Sequence, residues 1–291
     1  MGRAGIMHSV AARCFWIMAR KRKKNRSYKW LRLLLPLLVL LAVWLYENRP
    51  VAQSGKPASE LAIPKFTKSV KSQLIEHAGY TVSYNEQRRN PNWVAYELTA
   101  EEVAGKESRG SDFIRDPLVI GRQADDSDYR KSGWDRGHLA PAGDMKWSPK
   151  AMEESFYMSN ISPQNNNLNR GVWKSIEEKV RDIAVKYGSV IVVTGPVFTT
   201  KKGLGSIGKN RVLIPNAFYK ALLVDDGGYE TIGFYCENVA GKKALSSYAM
   251  SVDQLEEITG IDFFPALPDD VEDIAESHYD LKVWGIKNKK K

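Results

Sequence analysis

Apolar and polar positions alternate through the middle of the chain, and the alternation predicts most of its regular structure. The stretch YTVSYNEQRRNPNWVAYEL, Tyr80 to Leu98, alternates on both sides of Asn-Pro-Asn and predicts two strands with their turn at Asn90–Asn92. SVIVVTGPVF is an unbroken apolar run of buried-strand length, and RVLIPNAFYKALLV and YETIGFYCE predict two more strands. A period near 3.6 takes over from Leu168 to Tyr187, where Val172, Ile176, Val180, Ile183 and Tyr187 fall on one helical stripe. A second helix is predicted over Val252 to Thr259, closed by Gly260.

The first helix carries another stripe. Asn169, Trp173, Glu177 and Arg181 recur every four residues and share one face. Alone, this reads as a capping asparagine followed by an i, i+4 Glu177–Arg181 pair on a solvated surface. An amide oxygen, a carboxylate and a guanidinium in line also meet the needs of phosphodiester hydrolysis: a hard-cation ligand, a water-holding group and a phosphate clamp.

The amino-terminal pattern is different. KRKKNRSYKW precedes an uncharged run of 14 residues from Leu33 to Tyr46, or 17 from Trp30 if Arg32 is included. That length lies between a signal-peptide core and a spanning helix, and Trp30, Trp44 and Tyr46 suit membrane interfaces. The boundaries expected are a basic segment 1–29, a transmembrane anchor or signal core 30–46, a linker 47–64 rich in Pro, Ser, Gly and Ala, a catalytic domain 65–286 and a basic tail 287–291. The expected location is the cell envelope, with the body outside the cytoplasm or secreted after cleavage. Because residues 1–46 are basic and free of acid, mitochondrial import is the alternative.

Charge changes the picture only by its distribution. The chain has formal charge +9, but residues 1–46 hold ten Lys or Arg and no acid, which leaves 33 bases against 34 acids in the rest. The body is near neutral, so a polyanion site must be a local cleft. Cys14 and Cys236 are too few for a disulfide framework and form no C-x-x-C pair.

The remaining signal is SGWDRGHLAPAGDMKWS, Ser132 to Ser148, which holds one of only four histidines. Viewed alone it is a hairpin corner with an ion pair. Combined with YNEQRRNPNWVAYEL, DYRKSGWDRGHLAPAGDM, SFYMSNISPQNNNLNRGVW, VTGPVF, IPNAFYKALL and TGIDFFPALP, it resembles the DNA/RNA non-specific endonuclease family, the ββα-metal or His-Me finger nucleases that include endonuclease G. The shared pattern runs roughly from Tyr80 to Phe264, and the DRGH signature with Asn160, Asn169 and Glu177 at Asn-x8-Asn-x7-Glu spacing is its most specific part.

The resemblance implies an α+β fold, a ββα-metal nuclease with a mainly antiparallel central sheet flanked by helices. It implies His138 as general base, Asn169 as the direct protein ligand of Mg2+ with Mn2+ as the alternative ion, and Glu177 as holder of metal-bound waters. Asn160 would orient the site, and Arg136 and Arg181 would lie near the phosphate. Arg109 is the expected upstream phosphate-binding arginine, with Arg122 as the other candidate, and Asp135 is expected to fix the turn. DNA and RNA would be substrates through phosphate contacts, which carry no base identity, with 5′-phosphate products. The family also includes homodimers.

Other motifs fail on context. GLGSIGK, Gly203 to Lys209, imitates a phosphate loop, but Asn210 stands where Ser or Thr is needed and a strand follows. His8, His77 and His278 lack zinc-ligand spacing. A catalytically silent nucleic-acid-binding module and an envelope structural protein are the readings from other classes.

Overall fold

The computed structural model describes residues 60–110, 112–241 and 243–287. The chain divides into a unit of residues 1–54, which lies outside the described residues, and a unit of residues 55–291 to which everything below belongs. The anchor or signal core expected at 30–46 therefore lies outside the described residues. Among the described residues, no helix is long and apolar enough to cross a membrane.

The strands come first in chain order as β1 (Lys65–Phe66), β2 (Gln73–Glu76), β3 (Thr81–Asn85) and β4 (Asn90–Thr99). Next are β5 (Asp135–His138), β6 (Ile161–Gln164) and β7 (Ser189–Val197). β8 (Ser206–Ile207), β9 (Val212–Leu213), β10 (Ala217–Asp225), β11 (Tyr229–Glu237), β12 (Ala249–Met250) and β13 (Ile261–Asp262) complete the set. Seven of them form one sheet in the order β12-β11-β10-β7-β4-β3-β2, antiparallel at every pairing.

Period-2 alternation sorts these strands onto two buried faces. Val94, Tyr96 and Leu98 of β4, Val190 and Val192 of β7, and Phe218, Leu222 and Val224 of β10 share the first face. Trp93, Ala95, Ile191, Val193, Tyr219, Ala221 and Leu223 share the second. Helix α1 (Lys174–Tyr187) covers the first face with Ile176, Val180, Ile183 and Ala184. Helix α2 (Val252–Thr259) covers the second with Val252 and Leu255, and α3 (Asp269–Ser277) is tied to β11 where the Thr231 hydroxyl donates to the Ala275 carbonyl at 2.7 Å. Burying each such aliphatic side chain contributes about 1.5–3 kcal/mol before the cost of ordering it. The result is a mixed α/β fold with a central antiparallel sheet between helices.

Two predicted boundaries move. The turn expected at Asn90–Asn92 lies earlier, at Glu86–Arg89, and Asn90 opens β4. The asparagines go into the strand because their side chains are satisfied there: Asn90 donates to the Arg88 and Leu213 carbonyls, and Asn92 to the Ser83 hydroxyl and the Lys71 carbonyl. The helix expected from Leu168 starts at Asn166, capped by the Asn165 side chain, passes through a π turn at Asn169–Trp173, and is regular only from Lys174. Gly171 sits in that turn with non-helical torsions of −103° and −111°. Packing also begins before residue 65, since Ala62 is fully buried against the second face.

The GLGSIGK segment is a ribbon in which Ser206 and Ile207 pair with Leu213 and Val212. Its Asn210 amide nitrogen donates to Asp128, so its backbone groups serve the fold. Gly260 closes α2 in the left-handed region at φ 67°, as the sequence predicts. Cys236 is buried and free; Cys14 lies outside the described residues.

Candidate active site

A two-stranded ribbon leading into a helix carries the signature residues. β5 and β6 pair antiparallel with Asp135 opposite Gln164, Gly137 opposite Ser162 and His138 opposite Ile161, and the chain leaves β6 directly into the helical segment at Asn166. Gly137 makes this approach feasible, because a Cβ there would lie 2.6 Å from the Gln164 Cβ.

Asp135 does not fix the turn, contrary to expectation; it clamps the helix to the strand. One carboxylate oxygen accepts from the Asn166 side chain at 2.7 Å, and the other from the Asn169 Nδ2 at 3.0 Å and the Arg170 Nε at 3.2 Å. These donors hold its carboxyl below the usual carboxylate range even though burial pushes the other way. One turn on, the Trp173 Nε1 donates to the His138 carbonyl at 3.4 Å. Strand and helix are thus joined at both ends of the DRGH sequence.

An ionised carboxylate only accepts, so Asp135 fixes which way the Asn169 amide faces. Its NH2 is used, and its oxygen is left as a free donor atom for another group. The π turn sits at this point, an irregularity common at functional sites.

His138 is 8 % exposed and packed against Phe113 and Phe156, with ring centroids 5.3 and 5.0 Å away. Its Nε2 is buried without a hydrogen-bond partner. Burial, reinforced by the Arg109 guanidinium, pushes the imidazole down to about 3, so it is neutral across the physiological range. Arg109 lies over the Phe156 ring at 5.2 Å, on the aromatic group that His138 also touches. Arg122 is exposed and stands near Arg89 instead, so of the two candidates the structure brings only Arg109 to the histidine.

Arg136 shares the Phe113 ring with His138, at 5.4 Å, and is held by Asp126 at 2.6 Å. Asn160 is completely buried: its amide accepts from the Ala140 N–H at 2.9 Å and donates to the carbonyls of Ala140 and Ser155 at 2.8 Å. It therefore imitates a missing strand rung and fixes the backbone just after His138.

Behind these groups lies a charged network that the motifs do not reveal. Asp144, fully buried, accepts from Arg181 at 2.7 Å and from the Tyr96 hydroxyl at 2.8 Å. Lys220, also fully buried, lies 4.8 Å over the Trp173 ring. Glu177 faces Lys220, Asp144, Arg181 and Arg109, and burial raises its carboxyl well above the usual range while lowering the Lys220 ammonium. Lys220 was detectable: it takes a first-face position of β10 between Phe218 and Leu222, where the alternation calls for an apolar residue. Asp144 sits in a 3-10 turn with no periodicity and gave no such signal. His77, in contrast, is a core histidine bonded to Asp116 at 3.0 Å.

A family model described as DNA/RNA non-specific endonuclease matches residues 57–270. Endonuclease G, mitochondrial, of Bos taurus is 33% identical over 270 residues, covering 88% of this chain and 89% of its own length. Nuclease EXOG, mitochondrial, of Xenopus laevis is 36% identical over 251 residues, covering 79% and 69%. The solved structure described as "Crystal structure of the EndoG/EndoGI complex: Mechanism of EndoG inhibition" superposes with a TM-score of 0.63 at 30% identity, covering 69% of this chain and 89% of that one.

Proposed function

The chain belongs to the DNA/RNA non-specific endonuclease family and is a hydrolase of the endonuclease class, and from that premise we propose that it hydrolyses DNA and RNA with a divalent metal, Mg2+ or Mn2+, to leave 5′-phosphate ends. The observation that carries this reading is the pairing, on one ββα unit, of a neutral buried imidazole with an asparagine whose amide oxygen is left free by Asp135.

The residues fit a hard cation. The Asn169 oxygen would hold it, and Glu177, turned toward the same cluster of cations and carboxylates, would hold its waters. When bound, the metal supplies positive charge to the scissile phosphate and the departing 3′ oxygen. The neutral imidazole of His138 takes the proton of the attacking water. Phe113 and Phe156 keep its ring dry and oriented, and Asn160 holds the backbone that follows it. Arg109 and Arg136 offer guanidinium groups beside the same aromatic wall, and Arg181 reaches the cluster from α1. Each of these groups addresses phosphate, which explains indifference to base and sugar.

Linear DNA, supercoiled DNA and RNA should all be cut in Mg2+ and left intact in EDTA. Binding without cleavage in Mg2+ would support the silent nucleic-acid-binding module instead, and neither binding nor cleavage would support a structural role.

Several relatives are named mitochondrial, and with the acid-free basic segment of residues 1–46 this favours import over an envelope anchor. Fusing residues 1–59 to a fluorescent protein should direct it to mitochondria; a plasma-membrane or envelope signal would reverse the choice.

A further inference from the structure

On the second face of the sheet, opposite the candidate active site, three carboxylates converge from two helices. Asp253 and Glu256 stand one turn apart on α2, and Glu276 lies near the end of α3. One oxygen from each lies within 4.8 Å of the others. One ion can therefore touch all three, and a cage of protein carboxylates suits Ca2+, which takes many oxygen ligands in flexible geometry, better than Mg2+, which keeps several of its waters.

Acidic clusters are common on exposed helices, but this one includes a buried member without a partner. Glu276 is 3 % exposed, and its Oε1 is buried with no hydrogen bond. Glu256 uses one oxygen to accept from the Phe263 amide at 2.8 Å and has its other oxygen left. None of the three makes an ion pair among the described residues. Asp262, Glu272 and Asp273 add further negative charge around them, and the cation facing this side is Lys65, paired with Asp262 across β1 and β13. Burying that much like charge costs free energy unless a cation or a proton offsets it.

We propose that Asp253, Glu256 and Glu276 form a Ca2+ site that fastens α2 and α3 to each other and, through the Thr231–Ala275 bond, to β11. Glu276 lies beyond residue 270, where the family match ends. The site is separated from the nuclease chemistry by the sheet and acts on stability. Neutralising the carboxylates by protonation is the competing reading, since burial and the neighbouring acids push Glu276 up to about 9.

The test is Ca2+ titration of the full-length protein by calorimetry and by thermal unfolding against EDTA, with three variants. The parent should gain roughly 5 °C in Tm at saturating Ca2+. Asn169→Ala, which removes the proposed catalytic ligand, should keep that gain. Asp253→Asn, at an exposed position where folding is not at risk, should weaken Ca2+ binding by at least about tenfold, and Glu276→Gln should abolish it, with nuclease activity in Mg2+ unchanged in both. A parent without a Ca2+-dependent shift, a shift that survives Asp253→Asn and Glu276→Gln, or one lost in Asn169→Ala would overturn the site.

Discussion

His138→Ala is expected to lower turnover by about 10²- to 10⁴-fold while leaving DNA binding within about twofold of the parent, since a general base contributes to the transition state and not to the grip. The structure sharpens this expectation. The side chain makes no hydrogen bond that the fold needs: its Nε2 has no partner, and the tie from Trp173 goes to the backbone carbonyl, which alanine retains. Burial alone pushes in the same direction as Arg109, keeping the ring neutral down to about pH 3. A histidine whose folded value is depressed destabilises the fold only as pH falls from about 6.5 toward 3, where the unfolded chain takes up the proton first. His138→Ala should therefore be slightly more resistant to acid unfolding than the parent. The acid limb of the parent's rate profile should not report His138 at its ordinary value near 6.5; it should report Glu177, whose raised carboxyl must ionise before it can hold water. Steady-state kinetics, a DNA-binding titration under the same conditions and acid unfolding of both proteins provide the check. Equal losses in binding and turnover would make the histidine structural.

Much of the frame was legible because it rests on periodicity. Strands β7, β10 and β11 and helix α2 follow from apolar runs and a glycine cap, and the DRGH and asparagine spacing led to one ribbon and one helix. What was not legible depends on contacts distant in sequence. Asn90 enters β4 because Leu213, 123 residues away, accepts its amide. The π turn at Asn169–Trp173 follows from ties to Asp135 and His138, and no helical pattern encodes these. Asp144 becomes part of the site only when Arg181, 37 residues later, returns to it along α1. Lys220 is the intermediate case: its place in the alternation marks it as anomalous, but only the packing of Trp173 and Glu177 around it gives the anomaly a meaning.

The second large effect should come from Asn169, and it distinguishes a ligand defined by its oxygen from one defined by its charge. Asn169→Ala removes the proposed protein donor, so activity at millimolar Mg2+ should fall by more than about 100-fold, the upper end for loss of a supporting metal contact, and recover partly as Mg2+ is raised. Asn169→Asp offers a better hard-cation ligand in isolation. Here it should fail almost as badly, because the amide NH2 that donates to Asp135 at 3.0 Å would become an oxygen facing a carboxylate. Two carboxylates at that distance cannot both ionise without a strong penalty; one must take a proton or the clamp must open. Asp135→Asn on the Asn169→Asp background restores one donor and one acceptor across the gap. The double variant should therefore regain activity that neither single variant has, with the tightest apparent Mg2+ affinity of the four proteins. Mg2+ titrations of cleavage rate for the parent, both single variants and the double variant form a complete cycle. If Asn169→Asp matches the parent, or the double variant is no better than the sum of its parts, Asp135 does not set the ligand, and the neutrality of residue 169 must have another cause.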